Sequence, residues 1–239
     1  MLTDAGLEAT GAGRPQGGPW SPLLAKLLLD GLEQEVARRG HRFVRYADDG
    51  NIYVKSVQAG QRVLASVTRF LERRLKLRVN EAKSAVDRPW RRTFLGFTCT
   101  GCRPNRRRVS KKALRAFKQE VRRLTSRTRG VALGQVLRDL RRYLEGWYRY
   151  FGFAEAQSGF KELDSWLRRR LRCYQWKQWG RRRYRELRRR GISRELAWNT
   201  VRSAHGPWRL SRSPALAIAL PSSYFDGLGL PRLQRGSHR

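Results

Sequence analysis

The sequence predicts an α+β chain: an antiparallel sheet with packed helices over residues 1–100, followed by an all-α, strongly basic region. Three observations predict it. Between Arg42 and Ser56 two β-rich runs, Phe43, Val44 and Tyr46 on one side and Ile52, Tyr53 and Val54 on the other, flank Asp48-Asp49-Gly50, which reads as a β-hairpin. From residue 110 onward apolar residues recur at intervals of three and four, the period of a helix with one packed face. Against 53 Lys and Arg stand only 19 Asp and Glu, a formal net charge of +34, and the surplus is concentrated after residue 100.

Composition narrows the class further. A chain of 239 residues holds one or two domains, and 40% hydrophobic content with 8 Trp is enough to bury a core. A pI near 11.6 implies a polyanionic partner, and arginines interleaved with aromatics favour nucleic acid over an anionic membrane surface. Arg outnumbers Lys, which suits bidentate phosphate contacts and stacking on bases. The 3 Cys are too few for a disulfide scaffold, and the odd number fits a reducing compartment. Cys99-Thr100-Gly101-Cys102 has CxxC spacing, but with no second pair and no nearby His it reads as a strand end running into a turn. No apolar run reaches the length of a membrane span and no charged-then-apolar leader opens the chain, so no membrane association and a cytoplasmic location are expected.

Taken in order, residues 1–19 are glycine-rich and end in the loop Gly13-Arg14-Pro15-Gln16-Gly17-Gly18-Pro19. Ser21 as N-cap and Pro22 at the first helical position then start a helix through about Arg39, with Leu24, Leu27, Leu28, Leu32 and Val36 as its apolar stripe. In the hairpin, Asp48, Asp49 and Gly50 serve as turn formers in any case. Two adjacent carboxylates flanked by Arg42, Arg45 and Lys55 also make a local negative well, suited to a divalent cation arriving with phosphate.

Gln58 to Leu77 repeats Val63, Leu64, Val67, Phe70, Leu71 and Leu75 at helical spacing. Lys83 follows in Val79–Ser84, either a solvated lysine or a functional one. Phe94-Leu95-Gly96-Phe97 alternates as a short strand whose glycine permits close backbone approach, and residues 101–109 read as a linker. Residues 110–190 carry three helical stripes: Leu114, Phe117, Val121, Leu124; then Val136, Leu137, Leu140, Leu144, Trp147, Phe151; then Phe160, Leu163, Trp166, Leu167, Leu171, Tyr174. Their other faces hold Arg122, Arg123, Arg127 and Arg129, and Arg168, Arg169, Arg170 and Arg172. A solvated face normally alternates in sign and this one hardly does, so these arginines are candidate RNA contacts. Residues 191–239 read as a basic tail, with His205 as a lone structural histidine.

Tyr46-Ala47-Asp48-Asp49 on a hairpin resembles the catalytic signature of reverse transcriptases, and the flanking residues resemble the group II intron-encoded reverse transcriptase and maturase family. The resemblance extends to Leu144–Gly152, to Leu163–Arg172, and in the tail to Ser203–Ser213 and Asp226–Leu233. It implies a partial palm followed by a thumb and maturase-specific helical domain, acting as an RNA-directed DNA polymerase and as a maturase that binds group II intron RNA. The alternative it leaves open is an inactive RNA-binding remnant. On this likeness Asp48 and Asp49 are catalytic and bind Mg2+, or Mn2+ in its place. Arg14, Pro15, Gln16, Gly17, Gly18, Tyr46, Ala47 and Lys83 lie at the dNTP and template, and Leu95 and Gly96 grip the DNA primer on its RNA template. The family's fingers and first palm strand, with its third metal-binding aspartate, precede the Pro-Gln-Gly loop. Only Asp4 and Glu8 are acidic before Pro19, and neither fits that motif, so a 5′-truncated reading frame, a mis-called start codon or a separate chain supplying those parts is expected.

Overall fold

The computed structural model describes residues 2–3, 6–7, 21–47, 49–156 and 158–234. It divides into two compact units, Met1–Arg88 and Pro89–Arg239.

In the first unit Leu2–Thr3 (β1) and Gly6–Leu7 (β2) pair antiparallel. Helix α1, Ser21–Arg38, starts where the Ser-Pro pair predicts. Strands β3, Arg42–Tyr46, and β4, Asp49–Tyr53, form the expected hairpin, with Phe43 opposite Ile52 and Tyr46 opposite Asp49. Helix α2, Val57–Arg73, is capped by Ser56, whose hydroxyl accepts from the Ala59 amide at 3.1 Å. It ends before Leu77, because Lys76 takes a left-handed φ of 55° and turns the chain. Gly60 is buried where α2 meets its neighbours: a Cβ there would stand 2.5 Å from Val86 Cγ1 and 3.4 Å from Val54 Cγ2. Of the α1 stripe, Val36 is 3% exposed whereas Leu27 and Leu28 lie open.

The second unit opens with a 3-10 turn, Pro89–Arg91, and a hairpin of β5, Phe97–Cys99, and β6, Arg107–Val109, with Phe97 opposite Val109. Residues 101–109 are thus not a free linker, since their end is a paired strand. Phe94–Phe97 is not a strand either. Phe94 and Phe97 exchange two backbone hydrogen bonds of 2.9 Å, and Leu95 and Gly96 between them sit at φ 50° and 76°, a tight two-residue turn.

Three long helices follow the predicted stripes: α3, Lys111–Leu124; α4, Leu133–Phe151; and α5, Ser158–Trp179. Phe117, Val121, Val136, Leu140, Leu144, Leu167 and Leu171 are fully buried. An aromatic cluster knits the hairpin to the helices, with ring centroids 5.3 Å apart for Phe97 and Phe151, 4.7 Å for Phe117 and Trp147, and 5.5 Å for Trp147 and Phe160.

The region read as a tail is folded. After α6, Arg183–Arg189, which closes the region expected to be helical, it forms α7, Arg194–Arg202; α8, Pro207–Leu210; α9, Pro214–Ala219; and α10, Ser222–Gly227. Leu210, Leu216, Leu220, Phe225, Leu230 and Leu233 are buried in the same core as α3–α5. The reason is visible on α5. It is buried on its expected stripe except at the half-buried Trp166, and also at Asp164, Arg168, Trp176 and Trp179, so one apolar face does not describe it and the C-terminal segments cover the rest.

Candidate active site and nucleic-acid interface

Asp49 opens β4 next to the turn of the β3–β4 hairpin. Because Tyr46 pairs with Asp49, the turn holds two residues, and its first, Ala47, lies at φ 53°. That is the left-handed region, costly for any residue with a Cβ. Arg45 holds the turn from within: its Nη1 donates to the Ala47 carbonyl at 2.8 Å, and the guanidinium also pairs with Glu33 of α1. Residues directly opposite share a face, so Asp49 stands with Tyr46, Val44 and Asn51 on the side away from Phe43 and Ile52. Asp49 and Tyr46 are exposed, and Asp49 has no ion-pair partner among the described residues. Asp48 lies outside the described residues, as do Arg14, Pro15, Gln16, Gly17 and Gly18. Among the described residues no group of three or more His, Cys, Asp or Glu gathers as a metal site. Lys83 is exposed in a turn whose geometry is set by Asn80, which accepts from the Lys83 amide through both its carbonyl and its side chain.

The Leu95-Gly96 turn is built into the second unit. Tyr150 donates to the Leu95 carbonyl at 3.0 Å and the Ser110 amide to the Gly96 carbonyl at 2.8 Å. A Cβ on Gly96 would stand 3.0 Å from the Phe151 ring, so the glycine is demanded by both its φ and its neighbour. Leu95 keeps a partly exposed side chain.

The arginines separate into two groups. Arg168 is 4% exposed: it pairs with Asp164 at 3.1 Å and with Asp226 at 2.5 Å, and the Asp164 carboxylate accepts in turn from the Leu233 and Gln234 amides. It belongs to the core rather than to an exposed basic face. Arg172 donates to the Leu220 carbonyl at 2.8 Å, Arg169 to the Trp208 carbonyl at 2.9 Å while its guanidinium lies 3.7 Å over the Trp208 ring, and Arg170 to the Thr125 hydroxyl at 2.6 Å. Arg123 and Arg129 pair with Glu120 and Asp139. The guanidinium beside Asp139 holds that carboxyl below its usual range, helped by Gln135 and opposed by burial.

Arg122, Arg127 and Arg170 converge instead on one open cleft of about 440 Å³, joined there by Lys177 and Arg183, which sequence reasoning did not single out. The signal was present: Lys177 follows Arg170 by seven positions, which places both on the same face of a helix. Burial pushes the Arg170 guanidinium below its usual pKa, Cys173 opposing, with Arg122 and Arg127 adding like-charge repulsion.

Residues 5–99 match the family described as Reverse transcriptase (RNA-dependent DNA polymerase), and residues 114–191 match Group II intron, maturase-specific domain. The chain thus carries a reverse transcriptase match followed by a group II intron maturase-specific match, consistent with a group II intron reverse transcriptase and maturase. No curated protein matches the sequence. The reverse transcriptase match contains the Tyr46–Asp49 hairpin and runs into β5, and the maturase-specific match spans most of α3 through α6. Helices α7–α10 follow the maturase-specific match yet share its core. Among the described residues no helix is long and apolar enough to cross a membrane.

Proposed function

We propose that the reverse transcriptase domain extends a DNA primer on an RNA template with dNTPs, and that the maturase-specific domain together with α7–α10 holds group II intron RNA while it folds and splices. One observation supports this above others: the Tyr46-Ala47-Asp48-Asp49 sequence, with Asp49 exposed at the start of β4, precedes a maturase-specific domain in the same chain. The exposed Asp49 is a hard oxygen donor and has no ion-pair partner among the described residues, which fits one ligand of Mg2+ or Mn2+. Asp48 and Asp49 would hold the ion, which when bound supplies activation of the primer hydroxyl and stabilisation of the leaving pyrophosphate. On this reading Tyr46 and Ala47, with Arg14–Gly18, border the dNTP and template, and Lys83 stands toward the pyrophosphate. Leu95 offers the primer its exposed side chain, since the carbonyls of Leu95 and Gly96 are already taken. RNA contact falls to the arginines without carboxylate partners rather than to Arg168.

A second reading, an RNA-binding protein without polymerase activity, is favoured by the distribution of buried apolar side chains. Among the described residues Val36 alone represents the first unit in that set. Primer extension on an RNA template, with and without Mg2+, separates the two. Extension by the parent that disappears in Asp48→Ala is the expected result. No extension by either, with salt-sensitive RNA binding intact in both, would leave the second reading standing.

A further inference from the structure

Most of the arginines of the second unit that meet acids do so on the surface of their own helix or across a short loop: Arg123 with Glu120, Arg129 with Asp139, Arg141 with Glu145. The cleft formed by Arg122, Arg127, Arg170, Lys177 and Arg183 breaks that pattern, because no Asp or Glu lines it. Arg127 and Lys177 are exposed and have no ion-pair partner among the described residues. The other three cations are fixed in place by neutral groups. Arg170 donates to the hydroxyl and carbonyl of Thr125 at 2.6 and 3.3 Å. Arg183 donates to the Trp176 carbonyl at 3.1 Å and lies 4.9 Å over that ring. Arg122 and Arg170 both reach the Trp166 ring, at 5.8 and 5.7 Å.

Cations held together without a counter-charge repel one another, and the repulsion is relieved by an anion that enters. The wall adds a neutral donor. Ser126 Oγ and Thr128 Oγ1 are 2.8 Å apart, so one hydroxyl hydrogen joins them and the other is left to donate outward. No Asn or Gln lines the cleft, so it has no side-chain amide with which to read a base edge.

We propose that this cleft is a docking pocket for one or two consecutive phosphates of an RNA backbone, gripped by Arg122, Arg127 and Lys177 and positioned by Arg170 and Arg183. The proposal rests on the RNA-binding reading above and names the place where that binding is concentrated. It predicts binding with a steep salt dependence and little sequence preference.

The test is equilibrium binding of the full chain to an unstructured RNA 20-mer over a series of KCl concentrations. The variants are Arg127→Ala/Lys177→Ala and a control, Arg185→Ala/Arg194→Ala, two exposed cations outside the cleft. For two lost phosphate contacts the slope of log K against log salt is expected to fall by about 1.4 in the cleft variant, from ~0.7 per contact on a single strand. The control is expected to change it by less than half as much. Equal losses in both variants would mean diffuse binding over the whole basic surface and would overturn the pocket while leaving RNA binding intact. If the parent fails to bind RNA, that reading fails by itself, and calorimetric titration with tripolyphosphate then decides the pocket. Binding by the parent that is lost in the cleft variant supports it, and no binding by the parent overturns it.

Discussion

Arg168 and Arg127 show how differently two arginines of one basic chain are employed. Arg168 is enclosed, its guanidinium shared between Asp164 and Asp226, whereas Arg127 lies at an open cleft with no acid beside it. Removing Arg168 strands the buried Asp164 carboxylate, and loss of one partner of a buried pair costs about 3–5 kcal/mol. Arg168→Ala is therefore expected to lower the thermal midpoint by several degrees, while Arg127→Ala leaves it unchanged and weakens RNA binding. A parent-like melting curve for Arg168→Ala would remove its structural role. Sequence pattern alone could not separate the two, because both sit among other arginines on helical stretches and only the partner across space differs.

At the scale of the elements, both tight turns carry residues in the left-handed region: Ala47 in the acidic hairpin, and Leu95 with Gly96 in the other. Asp-Asp-Gly between β-rich runs announced the first hairpin but not its turn residues, since Asp49 and Gly50 lie in β4, paired with Tyr46 and Arg45, and the left-handed residue is Ala47. The second turn was not legible, because Phe-Leu-Gly-Phe alternates as a strand does, and only the reciprocal bonds of Phe94 and Phe97 show the chain reversing there. Gly96→Ala forces a Cβ to 3.0 Å from the Phe151 ring at a φ of 76°, and strain of this kind costs on the order of 1–3 kcal/mol. Its denaturation midpoint is expected to fall accordingly, with a hydrophobic core otherwise unchanged by near-ultraviolet circular dichroism. Ala47→Gly, where the left-handed conformation is already paid for by an alanine, is the opposite case and is expected to preserve or raise stability.

Across the whole second unit, the C-terminal segment is held by charge as well as by its buried leucines. Asp226 joins Arg168 of α5 to Arg232, and those hydrogen bonds, working against burial, keep its carboxyl below the ordinary value of 3.8. A depressed folded pKa means that this stabilisation is complete above the ordinary value and is lost as pH falls through the lower one. The protection of residues 226–234 against hydrogen exchange, taken relative to the intrinsic exchange rate at each pH, is therefore expected to fall as pH drops below the ordinary carboxylate range, and Asp226→Asn to flatten that dependence. The same dependence in parent and variant would show that other acids hold the segment. Helix stripes, the acidic hairpin and the excess of positive charge were all readable from residue order, since each depends on near neighbours and on composition. The fate of each arginine and the folding of the last helices were settled only in three dimensions. Asp164 meets the Leu233 amide across 69 positions of chain, and Arg172 meets the Leu220 carbonyl across 48. Periodicity reports which face of a helix is apolar, but whether a charge on another face reaches solvent depends on what distant backbone packs over it.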